Sequence, residues 1–135
     1  MAALICDDDA RLRALYRQEF EWAGVEVVEA GDGEQCLELA VREQPELIVL
    51  DLAMPKRGGL STLPELRRQC PRSVVLVVTA HAAVEVLNLS RELGAVACFS
   101  KPGFLARIPE VVERYLGGGT DPAGGVLASG DASAG

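Results

Sequence analysis

Short, unbroken apolar runs alternate along this chain with longer stretches in which apolar residues recur every third or fourth position. Leu4-Ile5-Cys6 is the first run, and Leu12, Leu15, Tyr16, Phe20 and Ala23 then share one helical face until Gly24, a residue suited to ending a helix. Val25 to Glu29 predicts a second short strand. A helix over Gly33 to Glu43 would bury Cys36, Leu37 and Ala40, and Pro45 separates it from a third strand, Leu47 to Leu50, which Asp51 closes. Val74 to Val78 is the most β-branched run and too short for a helix with those flanks, so it predicts a central strand covered on both faces, ended by Thr79. A helix from about Ala83 to Leu93 stops at Gly94, Val96 to Phe99 makes a fifth strand, and Pro109 to Leu116 supplies the last helix.

Such alternation with short connections predicts a doubly wound parallel α/β sheet, because right-handed crossovers place helices on both faces. Periodicity leaves the strand order open. In the flavodoxin-like order 2-1-3-4-5, ligands bind where the order reverses, between strands 1 and 3. Asp7 and Asp8 follow the first of those strands and Asp51 ends the other, so three carboxylates converge on one sheet edge. A cluster of that kind calls for a cation.

Composition narrows the setting. A chain of 135 residues with 49% hydrophobic content supports one core, placing a single domain over residues 1–116 and a flexible Gly/Ala/Ser-rich tail or linker over 117–135. The net charge of −7 disfavours nonspecific binding to nucleic acid or anionic membrane, and the tail carries no helix-turn-helix pattern. No stretch has the form of a signal peptide or the length of a membrane span, which makes the cytoplasm the expected compartment. Cys6, Cys36, Cys70 and Cys98 lack C-x-x-C spacing and read as buried, reduced thiols. Asp9 precedes the first helical turn and reads as its cap. The lone His81 reads as an exposed loop residue.

Taken in order, Asp7-Asp8, Asp51, Thr79 and Lys101 before Pro102, each at a strand end, resemble the functional positions of a response-regulator receiver domain over roughly residues 2–116. Met54-Pro55 and Gly94-Ala95 add secondary agreement. The resemblance implies that Asp51 is the phospho-acceptor, Thr79 the switch hydroxyl and Lys101 the counter-charge. It also implies a Mg²⁺ site in which Asp8 and Asp51 are direct ligands, Asp7 acts through water and the backbone carbonyl of Ala53 completes the protein set. The phosphodonor would be a phosphohistidine on a sensor histidine kinase or a histidine phosphotransfer protein. Phosphorylation would then reshape the face built from helix 4, strand 5 and helix 5 for a downstream protein partner. On this view the chain is a signalling domain that catalyses its own modification and slow hydrolysis, either as a stand-alone receiver or as the N-terminal part of a longer regulator.

Two other readings use the same residues. One is a phosphorylation-independent interaction module on the same fold. The other is an aspartate-nucleophile phosphohydrolase of the haloacid-dehalogenase type, disfavoured because the acid/base aspartate expected two residues after the nucleophile is Ala53 here.

Several positions depart from the receiver pattern. Cys98 stands where receivers carry a Tyr or Phe that follows the switch hydroxyl, and period 2 puts Phe99 on the opposite strand face, leaving Phe104 as a possible substitute. Gly103 replaces a bulky apolar residue. The basic pair Lys56-Arg57 borders the site and could attract a phosphodonor. Two prolines shift the expected helix starts: Thr62 with Glu65 fits a capping box that puts Pro64 in the first turn of helix 3, and Pro109 predicts a helix 5 starting near residue 109 after an irregular approach.

Overall fold

A computed structural model describes residues 1–80 and 83–117, so His81 and most of the expected tail lie outside the described residues. The elements in chain order are β1 (Ala2–Cys6), α1 (Ala10–Trp22), β2 (Glu26–Ala30), α2 (Gly33–Glu43), β3 (Leu47–Asp51), α3 (Gly59–Gln69), β4 (Val74–Thr79), α4 (Val84–Glu92), β5 (Ala97–Ser100) and α5 (Lys101–Tyr115). The strands pair in parallel in the order β2-β1-β3-β4-β5, the flavodoxin-like order that puts Asp7, Asp8 and Asp51 at the switch point. Asp9 caps α1 as its position suggested, its carboxylate accepting from the backbone N–H groups of Arg11 and Leu12. No helix among the described residues is long and apolar enough to cross a membrane.

The two faces of the sheet carry chemically different cores. Against α1 and α5 lie Tyr16, Phe20, Phe99 and Phe104 with Ile5, Val49, Leu76, Val78, Ile108 and Val111. Among the described residues, the apolar core against α2, α3 and α4 is made of aliphatic residues, Met54 and all four cysteines. Strand alternation produces the division: Cys98 and Phe99 are neighbours on β5 and fall on opposite faces. Phe104, fully buried and edge-on to Tyr16, belongs to the α1/α5 face, so it does not replace the aromatic missing at Cys98.

The four cysteines are buried, but they are not all thiols. Cys6 and Cys36 form a disulfide with a Cα–Cα distance of 5.8 Å, whereas Cys70 and Cys98 are free. Sequence spacing hides this pair because its members meet only when the end of β1 packs against the first turns of α2.

Both helix starts predicted from proline are also corrected. α3 begins at Gly59 behind Gly58 as N-cap and runs through Pro64. Thr62 is not the cap; its hydroxyl donates back to the carbonyl of Gly58, four residues earlier. Glu65 pairs with Arg68 instead of closing a capping box. α5 begins at Lys101, places Pro102 in its first turn and continues through Pro109. In each helix the internal proline is on the exposed side, where a carbonyl deprived of its donor can reach water. The opposite side is anchored in the sheet: Phe104, Ile108 and Val111 are essentially inaccessible to solvent. Burial of about 1.5–3 kcal/mol for each such side chain outweighs an interior proline that costs about 3 kcal/mol.

Candidate functional site

The parallel register of β1 and β3 aligns Cys6 with Leu50, so the residues that follow, Asp7 and Asp51, emerge side by side at one sheet edge. Carboxylate oxygens of Asp7, Asp8 and Asp51 lie within 4.8 Å of one another. Asp7 and Asp51 are each only 2% exposed, whereas Asp8 opens to solvent. Such a set of hard oxygen donors, two of them buried, fits a small divalent cation.

Lys101, the residue that follows β5, closes the site at the same sheet edge. Its ammonium lies 3.1 Å from Oδ2 of Asp51 and 3.3 Å from Oδ2 of Asp7. A cation at the start of a helix faces the positive end of the helix dipole, so Lys101 occupies an unfavourable place that the two carboxylates make favourable. The remaining oxygens are held by backbone donors: Asp7 Oδ1 accepts from the N–H of Asp9 at 2.8 Å, and Asp51 Oδ1 from that of Ala53 at 3.2 Å.

Burial raises the pKa of Asp7 above the ordinary carboxylate value, and the charge of Asp51 adds to the rise, against the opposing pull of the Asp9 N–H and Lys101. Burial works against the charged form of Lys101, yet the hydrogen bond and charge of Asp51, with the charge of Asp7, hold its pKa above the usual lysine range. Tyr16, buried beneath this cluster on α1, has no hydrogen-bond partner for its hydroxyl among the described residues. Its ionisation is strongly disfavoured, first by burial and then by the charges of Asp7 and Asp51.

Thr79 ends β4 next to Val78, the residue in register with Asp51, and is buried. The structure thus brings Asp7, Asp8, Asp51 and Lys101 together and places Thr79 at the same edge. Ala53, two residues beyond β3, is exposed at its rim. The basic pair after Pro55 is engaged locally: the ammonium of Lys56 lies 3.7 Å from Asp32 Oδ2, and Arg57 donates to the carbonyl of Ser61.

Other contributors leave no motif in the chain. A Cβ on Gly59 would lie 2.6 Å from the Cα of Leu52 and 2.7 Å from the carbonyl oxygen of Asp51, so only glycine lets α3 start this close to the end of β3. Arg13, on the first turn of α1, donates to the main-chain carbonyl of Asp7 and forms an ion pair with Glu29 on β2. An arginine one helical turn after a cap is too common a feature for spacing to single it out.

Known proteins share this fold. Residues 3–113 match the family model described as the response regulator receiver domain. Among curated proteins, the chain is 31% identical over 113 residues to sporulation initiation phosphotransferase F of Bacillus subtilis, covering 84% of this chain and 91% of that one. It is 32% identical to the transcriptional regulatory protein PdtaR of Mycobacterium tuberculosis, of which it spans 54% while 82% of this chain is covered. Among solved structures, the receiver domain of AraT from Geobacillus stearothermophilus superposes with a TM-score of 0.76 at 32% identity, covering 84% of this chain and 91% of that domain. A family model spanning most of the chain, an unbroken 2-1-3-4-5 sheet and an acidic edge paired with Lys101 lead to one assignment: the chain belongs to the response-regulator receiver family.

Proposed function

We propose that the chain is a phosphorylation-controlled receiver that takes a phosphoryl group from a phosphohistidine onto Asp51. The observation that carries the proposal is the Asp51 carboxylate itself: buried, adjacent to Asp7 and Asp8, and paired with Lys101. In the transfer, an oxygen of Asp51 forms a bond to phosphorus as the P–N bond to the donor imidazole breaks, and the imidazole leaves with the electron pair. The chain contributes mainly position and charge to such a reaction. Asp51 is held in place by the Ala53 N–H and by Lys101, and Lys101 remains cationic to meet the charge on the incoming phosphoryl oxygens.

Asp8 and Asp51 would hold Mg²⁺ directly, with Asp7 acting through water and the Ala53 carbonyl as the backbone ligand. The ion would offset carboxylate and phosphoryl charge when bound. Phosphorylation changes Asp51 from −1 to about −2 and adds three acceptor oxygens, which offer the Thr79 hydroxyl a new acceptor at the end of β4. Its motion would bias the α4-β5-α5 face toward a conformer that a downstream protein binds. With Cys98 on the aliphatic face beneath α4, that bias is transmitted without an aromatic side chain.

The donor is a sensor histidine kinase or a histidine phosphotransfer protein, and the domain occupies residues 1–116 ahead of a linker or tail. Incubation with phosphoramidate and Mg²⁺ tests the donor chemistry. The receiver reading expects a hydroxylamine-labile adduct on the protein and no turnover of p-nitrophenyl phosphate. Rapid turnover of that phosphomonoester without a stable adduct would favour the phosphohydrolase, and neither adduct nor turnover the interaction module.

A further inference from the structure

We propose that Arg13 is a positioning residue for the cation site, setting the orientation of Asp8 through the backbone that joins it to Asp7. The inference rests on the receiver reading of the acidic cluster. Asp8 is the one exposed member of that cluster, and its carboxylate takes no hydrogen bond from a described residue. No side-chain hydrogen bond fixes its direction, so the placement of its main chain sets the range it can reach. That main chain is tied at three points, one of them the bond from the Asp9 N–H to Asp7 Oδ1. The N–H of Asp7 donates to the carbonyl of Ala30 on β2 at 3.1 Å, and the carbonyl of Asp7, in the peptide unit whose nitrogen belongs to Asp8, accepts from Nη1 of Arg13. Removing the Arg13 tie loosens the Asp7–Asp8 peptide plane, and Asp8 turns with it.

Arginine is suited to this position because it holds two partners in fixed geometry. While Nη1 reaches Asp7, Nε donates to Glu29 Oε1 at 2.8 Å, and the second oxygen of Glu29 accepts from Arg17 Nη1 at 2.7 Å. Burial disfavours charge on Glu29, but the two arginines outweigh it and hold its pKa below the ordinary value, so the anchor stays anionic at neutral pH. The Arg13 side chain is largely covered, at 18% exposure, which limits competition from water. A lysine offers one point donor in place of the fork and cannot serve Asp7 and Glu29 in the same geometry. Partners of this kind behind metal ligands typically change metal affinity by roughly 10–100-fold when removed.

The test is calorimetric titration of the metal-free protein with MgCl₂, run on the parent, Arg13→Lys, Arg13→Ala and Arg42→Ala, with thermal midpoints recorded for each. Arg42 pairs with its neighbour Glu43 on α2 and controls for the loss of one positive charge. The expected result is a dissociation constant raised roughly 10-fold or more in Arg13→Lys, with a midpoint close to the parent's, and little change in Arg42→Ala. Arg13→Ala is expected to weaken binding at least as much; if it does not fold, Arg13→Lys alone decides. Parent-like affinity in Arg13→Lys, or equal weakening in Arg42→Ala, would overturn the proposal while leaving the receiver reading in place. Absence of Mg²⁺ binding by the parent would remove the receiver reading and the proposal together.

Discussion

The ammonium of Lys101 lies 3.1 Å from Oδ2 of Asp51, although fifty residues separate them in the chain. β4 and β5 bring them together: Asp51 ends β3, β4 pairs with it, and β5 delivers Lys101 as the first residue of α5. With Asp7 alongside, one cation faces two buried carboxylates, and the metal-free cluster is left with excess negative charge. That imbalance is a cost to the fold, and a bound divalent ion would offset it.

The cost is measurable at Asp7. Its pKa in the folded chain lies above 3.8, chiefly because it is buried. Below pH 3.8 the proton is bound in both folded and unfolded chains and the contribution to stability is fully present; it is lost as pH rises through the folded pKa. Asp7→Asn keeps an acceptor for the Asp9 N–H and removes the ionisation. In metal-free buffer it should raise the thermal midpoint by a few degrees at neutral pH, with the difference shrinking as pH falls toward 3.8. Saturating Mg²⁺ should reverse the order, since at 100 times its dissociation constant a ligand stabilises the parent by about 2.7 kcal/mol. Melting curves across pH, with chelator and with Mg²⁺, check both halves.

The disulfide makes a separate prediction. Thiol titration of the unreduced, denatured protein should find the two free cysteines, Cys70 and Cys98, and all four after reduction. Cys36→Ala should lower unfolding free energy by about 3–4 kcal/mol on the chain-entropy account for a loop of this length, read from urea denaturation. Four thiols before reduction would show the pair to be unjoined.

Pro109 distinguishes two versions of α5. In the helix observed from Lys101 it is an exposed interior residue, and Pro109→Ala restores a donor to the carbonyl of Leu105. Stability should rise by about 1 kcal/mol, less than the full helix penalty of about 3 kcal/mol because proline also restrains the unfolded chain. If the helix instead began at residue 109, the same substitution would remove a favourable first-turn proline and lower the urea midpoint.

Most of the fold was legible in the chain because a doubly wound sheet writes each strand as an apolar run and each helix as a 3.6-residue repeat. Asp7, Asp8, Asp51, Thr79 and Lys101 were legible because each falls at a strand end, where the register is set by the runs themselves. What escaped depended on contacts between elements. Burial of Phe104 and Ile108 carries α5 through a proline that local propensity treats as a start, and the same conflict in α3 leaves Thr62 inside the helix. Cys6 and Cys36 are brought together by β1 and α2, and Arg13 reaches Asp7 across a turn. No spacing rule along a single element contains those pairings.

The central claim is that Asp51 accepts a phosphoryl group. Intact-mass measurement after incubation with acetyl phosphate and Mg²⁺ tests it most directly, with Asp51→Asn treated in parallel. The account predicts a single phosphoryl adduct on the parent that chelator prevents, and none on Asp51→Asn. An unmodified parent, or an adduct that persists on Asp51→Asn, would contradict it.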